Sequence, residues 1–210
     1  MKKIFYLYTI YYMLFRFLII MTKNANTNNT RQEIGQEAAV CRTLFEKKTR
    51  DYGTSWRVLR LPSLTDQIFI KANRIRSVQE SGENRVGDDL SGEFVAMVNY
   101  AVMALMQIEL GPDDDSELPL KRATELYDKH LNRTLELMLD KNHDYGEAWR
   151  QMRVSSMVDL ILMKLRRIKQ IEDNEGHTLV SEGVEGGYMD IINYSLFCLV
   201  RLSEEAENEK

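Results

Sequence analysis

Residues 51–79, DYGTSWRVLRLPSLTDQIFIKANRIRSVQ, and residues 144–172, DYGEAWRQMRVSSMVDLILMKLRRIKQIE, are one segment written twice. Overlaid with a shift of 93, they agree at 12 of 29 positions. The second copy then carries one extra residue. After it, 86–108 overlays 180–202 through Val86/Val180, Gly92/Gly186, Asn99/Asn193, Tyr100/Tyr194 and Leu105/Leu199. Two copies are too few for a solenoid, whose units need stacked neighbours. They suit a pseudo-symmetric pair, the equivalent of a homodimer fused into one chain.

The period inside the repeat is helical. Leu64, Ile68, Lys71, Ile75 and Val78 fall on one face of a helix, and Met157, Ile161, Lys164, Ile168 and Ile171 repeat that stripe. Each copy reads as three helices, near 31–50, 63–80 and 91–110, then 119–142, 156–173 and 184–206. Gly53 and Gly146 stand where the first helix of each copy ends, and Ser63 and Ser156 where an N-cap would open the second. The third helix buries Phe94, Met97, Val98, Ala101, Leu105 and Ile108, matched by Tyr188, Ile191, Ile192, Ser195, Leu199 and Leu202. The expected fold is all-α: a six-helix pseudo-symmetric bundle from two tandem three-helix repeats, preceded by an apolar N-terminal segment. Repeat 1 covers 31–110 and repeat 2 covers 119–210. The linker 111–118 is rich in turn and acidic residues. Its Asp113, Asp114 and Asp115 read either as solvated linker acids or as a cation site.

Residues 1–30 stand apart. An apolar run from Ile4 to Met21 holds Arg16 and several tyrosines, and a polar stretch, TKNANTNNT, follows. The run has nearly the length of a membrane span, but an internal arginine and many tyrosines suit one poorly. The reading adopted is a translation start placed upstream, with Met21 as the first residue. A membrane anchor and a signal peptide are the alternatives. A cytoplasmic location is expected, with membrane attachment only if residues 1–21 are retained.

Composition narrows function. The chain carries a net charge of −4, and setting aside Lys2, Lys3 and Arg16 leaves −7. An acidic body lacks the cationic surface that sequence-independent binding of duplex DNA needs. Cys41 and Cys198 form no C-x-x-C pair, which fits a reducing compartment, and His130, His143 and His177 have no zinc-ligand spacing. A homo-oligomer is compatible with all of this.

The polar residues repeated in both copies are the candidate site. Lys71 and Lys164 interrupt the apolar stripes, with Arg74 and Arg167 one turn on. A lysine among core residues is either part of a buried ion pair or, with its arginine, a clamp for a phosphate. Carboxylates follow at Asp88, Glu93, Glu182 and Asp190, in shifted register: Glu93 aligns with Gly187, and Asp190 with Ala96. Such acids hold Mg²⁺ or neutralise the lysines. Asp51, Tyr52 and Trp56, matched by Asp144, Tyr145 and Trp149, lie in the loop after the first helix, where aromatics stack a base or pack a helix corner. Asn99 and Asn193 complete the set.

The order K-x-x-D-Y-G (Lys48–Gly53, Lys141–Gly146), then Trp, K-x-x-R-I, acids and Asn-Tyr, resembles the nucleotide modification associated domain family, type one, over about 42–108 and 135–202. That resemblance implies a small helical domain of phages and bacteria acting in the metabolism of modified nucleotides. The layout is also similar to the all-α MazG-like and dimeric dUTPase-like pyrophosphohydrolases, which hold Mg²⁺ through E-x-x-E and E-x-x-D pairs. This sequence departs from them: Lys and Arg stand where E-x-x-E would be, and the E-x-x-D position is split between Glu93 and Asp190.

Two functions follow. In the first, the chain binds or modifies nucleotides: Lys71, Arg74, Lys164 and Arg167 hold phosphates, the four acids carry Mg²⁺ or position a water, and the Tyr and Trp pairs face the base. In the second, it is a non-catalytic interaction module whose polar residues form structural ion pairs.

Overall fold

A computed structural model describes residues 29–85, 87, 89–111, 116–178 and 183–208. The apolar N-terminal run, Asp88, Glu182 and the acids 113–115 lie outside the described residues. Six helices carry the chain: α1 over 29–52, α2 (Leu61–Ser81), α3 (Ser91–Leu110), α4 (Leu120–Tyr145), α5 (Val154–Asp173) and α6 (Glu185–Asn208). There is no strand among the described residues. The all-α, twice-three-helix architecture is as the repeat predicts.

Two local expectations change. The second helix of each repeat opens two residues early. Arg60 and Arg153, both extended, precede its first turn, so Ser63 and Ser156 lie inside the helix. Pro62 sits at the start of α2, where its missing N–H costs nothing. The loops holding the tryptophans are also more regular than a loop: each folds into a 3-10 turn, Ser55–Val58 and Ala148–Gln151. The glycine exits hold, with Gly53 at φ +67° and Gly146 at φ +61°. At Gly53 a side chain would also collide with the Glu117 carboxylate of the returning linker.

The two repeats are joined as symmetric partners. α2 packs on α3, α5 on α6, and the halves meet where α3 lies against α6 and α2 against α5. One ion pair across α2 and α5, Arg76–Asp159 at 3.6 Å, has its exchanged image in Lys169–Asp66 at 2.5 Å. In the repeat alignment residue 76 matches 169 and 66 matches 159, so residue i meets j and j meets i, as at a twofold interface. The first helix of each half also reaches the third helix of the other. Glu109 of α3 takes Lys129 and His130 of α4, at 2.7 and 2.8 Å. The matched contact is Glu37 of α1 with Ser203 of α6, at 2.8 Å. Phe45 of α1 stacks on Tyr127 of α4, ring centres 4.4 Å apart.

One continuous apolar core results. The stripe residues Leu64, Ile68, Ile75, Met157, Ile161, Ile168 and Ile171 are buried, while the two lysines and Val78 stay partly exposed. α3 is long and apolar enough by composition to cross a membrane, but here it is a core helix, its Met97–Met106 stretch largely buried.

Candidate nucleotide cleft

The anchor of each half is the 3-10 turn. Gln107 of α3 donates to the carbonyls of Arg57 and Leu59, both at 3.2 Å. Arg201, its counterpart on α6, donates to the carbonyl of Arg150 at 2.7 Å. The turn is therefore tied to the third helix twice over, by an amide in one half and a guanidinium in the other. The tie places a tryptophan against the core: Trp56 is 8% exposed and Trp149 5%. Trp149 stacks on Phe197 with ring centres 4.5 Å apart. Neither indole N–H has a hydrogen-bond partner among the described residues. A buried donor left unpaired is costly, so its recurrence at both matched positions calls for an explanation.

Each tryptophan lines a cleft confined to its own half. The first is a single cavity of about 500 Å³ between α1, α2, α3 and the turn, lined by Lys48, Tyr52, Trp56, Lys71, Asn99 and Tyr100, with Leu44 and Met103 among the apolar walls. In the second half the matching residues line two adjoining cavities of about 360 and 330 Å³. Lys141, Asp190 and Asn193 line both and so stand between them. Tyr145, Trp149 and Tyr194 line one, Arg133 and Arg167 the other. The rim residues Tyr52 and Tyr145 are 56% and 76% exposed. Burial first, and then Asp190, raise the Tyr194 phenol above its ordinary range, so it stays a protonated donor at neutral pH.

The lysine question resolves into ion pairs, each within one half. Lys71 lies 3.1 Å from Glu93, which Arg74 also grips, and Lys164 lies 2.7 Å from Asp190. The acid is shifted by one turn. Position 187, which aligns with Glu93, is a buried glycine over which Ile168 packs, an added Cβ coming within 2.9 Å of that side chain. Asp190, one turn on, reaches the lysine instead.

Of the residues expected from the sequence, Tyr52, Trp56, Lys71 and Asn99, and in the second half Tyr145, Trp149, Arg167, Asp190 and Asn193, line the clefts. Asp51 and Asp144 are exposed and line neither. Glu93, Arg74 and Lys164 sit beside the clefts as ion-pair members, off the lining. Lys48, Lys141, Tyr100 and Tyr194 line them and were not singled out as site residues; their signal was identity between the two copies.

In each half one described carboxylate lies at the lysine and is paired with it, and no group of three metal-ligating side chains occurs among the described residues.

Residues 48–108 and 141–202 each match the model of a family described as nucleotide modification associated domain 1. No curated protein and no solved structure matches the chain.

Proposed function

Because the chain belongs to the nucleotide modification associated domain 1 family, we propose that it binds a nucleotide or nucleoside phosphate in a cleft between the three helices of a repeat. The observation that carries this reading is the paired tryptophan. At matched positions, a tryptophan lines a cleft that also holds a lysine, an exposed tyrosine and an asparagine. A base offers a flat face to the tyrosine and the tryptophan, and a phosphate offers charge to the lysine. The first cleft is of a size that small-molecule sites use, roughly 300–1,000 Å³.

Thermal denaturation with a panel of deoxynucleoside mono-, di- and triphosphates, each with and without Mg²⁺, tests the reading. A ligand at a hundred times its dissociation constant stabilises by about 2.7 kcal/mol, a readily measured shift. Gly92→Val is the control. A side chain there meets nothing within 4 Å, so the fold tolerates it while the cleft narrows. Absence of any shift with every nucleotide at millimolar concentration ends the proposal. Product formation in the Mg²⁺ arm would place phosphoryl chemistry at the cleft.

A second reading, a non-catalytic interaction module, draws support from the ion pairs at Lys71 and Lys164. It expects Lys71→Met and Lys164→Met to leave function and most stability in place.

A further inference from the structure

The two clefts follow one plan but differ in charge and shape. In the first, the charged side chains on the lining are Lys48 and Lys71, with no carboxylate among the described residues. Lys48 makes no ion pair among them, and the acid that faces Lys71, Glu93, is 6% exposed and off the lining. In the second, the acid is on the lining: Asp190 holds Lys164, and Lys164 itself is withdrawn from the cavity surface. Arg133 there faces Glu185 at 3.5 Å, so two carboxylates stand on the lining of that cleft, although Lys141, like Lys48, makes no ion pair among the described residues. Asp190, with Asn193 and Lys141, also divides the space that is continuous in the first half.

The amide differs too. Asn99 Oδ1 accepts a hydrogen bond from Tyr127 of α4, at 2.6 Å, whereas Asn193 Oδ1 has no partner among the described residues. The position matching Tyr127 is Ile34, which has no hydroxyl to offer. The second half therefore holds Asn99 in place in the first cleft, and the first half offers no such hold in return.

Resting on the nucleotide reading above, we infer that the chain binds its nucleoside phosphate in the first-half cleft alone. Lys48 and Lys71 take the phosphates, and the second cleft is a divided copy whose walls carry the carboxylates of Asp190 and Glu185, which oppose an anion there. The duplication then yields one binding site per chain, with the second half serving to shape the first.

Calorimetric titration of the full chain with thymidine triphosphate, and separately with inorganic triphosphate, tests this. The expected stoichiometry is one per chain. Lys48→Ala is expected to weaken binding about tenfold, the loss of one charge-assisted contact, and Lys141→Ala by less than about twofold. Exchanging the lining residue between halves is the sharper experiment. Ala96→Asp places the blocking acid in the first cleft and is expected to abolish binding in a folded protein. Asp190→Ala removes it from the second and is expected to add a second binding event. Should Asp190→Ala fail to fold, Ala96→Asp and the two lysine variants still decide. Two equal sites per wild-type chain overturn the inference, as do equal losses from Lys48→Ala and Lys141→Ala, or full binding by folded Ala96→Asp. Those outcomes leave the nucleotide reading standing. Absence of binding of both probes by the wild-type chain overturns this inference, and the nucleotide reading falls with it only if the whole nucleotide panel gives no thermal shift.

Discussion

The same lysine sits in the same stripe of α2 and of α5, but its counter-ion comes from a different turn of the neighbouring helix. In the first half Glu93 is nearly buried and shared by Lys71 and Arg74, whose side chains are 30% and 27% exposed. In the second half Asp190 is 29% exposed and pairs with Lys164. Two copies of one ancestral sequence have thus met one requirement, neutralising a cation inside an apolar seam, by two arrangements. The difference teaches that a repeated residue is not a repeated environment. The first arrangement hides the acid and leaves the cleft cationic, while the second displays the acid on the cleft wall.

Four perturbations press on this contrast. The largest effect is expected from the acids themselves. Glu93→Gln leaves two cations around a buried position and should cost about 3 kcal/mol. Asp190→Asn should cost about 1 kcal/mol, because Lys164 can turn its charge to water. Urea denaturation of both variants measures the gap, and equal losses would erase the distinction. Next comes the glycine that stands where the first half has its acid. Gly187→Ala presses on Ile168 and is expected to lose about 1 kcal/mol net, overpacking outweighing the gain in helix propensity. Adding Ile168→Val should recover that loss. If it does not, Ile168 is not what crowds position 187.

A third perturbation uses a polar cluster across the seam between the halves that has no symmetric counterpart. Glu172 of α5 accepts hydrogen bonds from Thr65 at 2.7 Å and Tyr188 at 3.1 Å, whereas the matched positions hold Gln79, Val158 and Phe94. Burial raises the Glu172 carboxyl above its ordinary 4.5, with the nearby Asp66 and Asp173 adding to the rise and the two hydrogen bonds opposing it. The native state therefore binds this proton more tightly than the unfolded chain. Stability on this account falls as pH climbs from about the ordinary glutamate value through the raised native one, and levels off above it. Glu172→Gln, which copies the first half, should flatten that part of the pH–stability curve. A slope unchanged by the substitution would show that the cluster is not its source.

The smallest effect is expected at the exchanged surface pairs. Arg76–Asp159 and Lys169–Asp66 are solvent-exposed, and removing either should change stability by less than about 1 kcal/mol, and by less still in high salt. The Lys169 side is expected to be the costlier, because its ammonium also lies 4.0 Å over the Phe69 ring. A double-mutant cycle at each pair compares them.

Much of the fold was legible beforehand because helices announce themselves locally. The stripes of α2 and α5, the glycine exits at Gly53 and Gly146 and the acidic break before Pro119 all act within a few residues along the chain. Helix starts were less legible. Ser63 and Ser156 have N-cap chemistry, but the extended backbone at Arg60 and Arg153 already starts the turn, and no side-chain cap is used. The cleft was half legible. Tyr52, Trp56, Lys71 and Asn99 stood out as polar or aromatic residues repeated between copies. Lys48 and Lys141 were hidden in plain sight, since a lysine near the end of a first helix looks like any solvated charge until α3 or α6 closes the other wall.

By itself, the sequence determined that this chain is one helical unit used twice, where its helices run, and that a cation recurs in each apolar seam. These follow from spacing and repetition, which a one-dimensional string carries in full. The tertiary structure alone decided that the first helix of each half lies on the third helix of the other. It also decided that each lysine meets an acid of its own half, and that Asp190 walls a cleft while Glu93 is buried out of one. Those outcomes depend on how side chains distant in sequence share volume: Tyr127 reaching Asn99, and Ile168 packing over Gly187. Close packing sets such contacts in three dimensions.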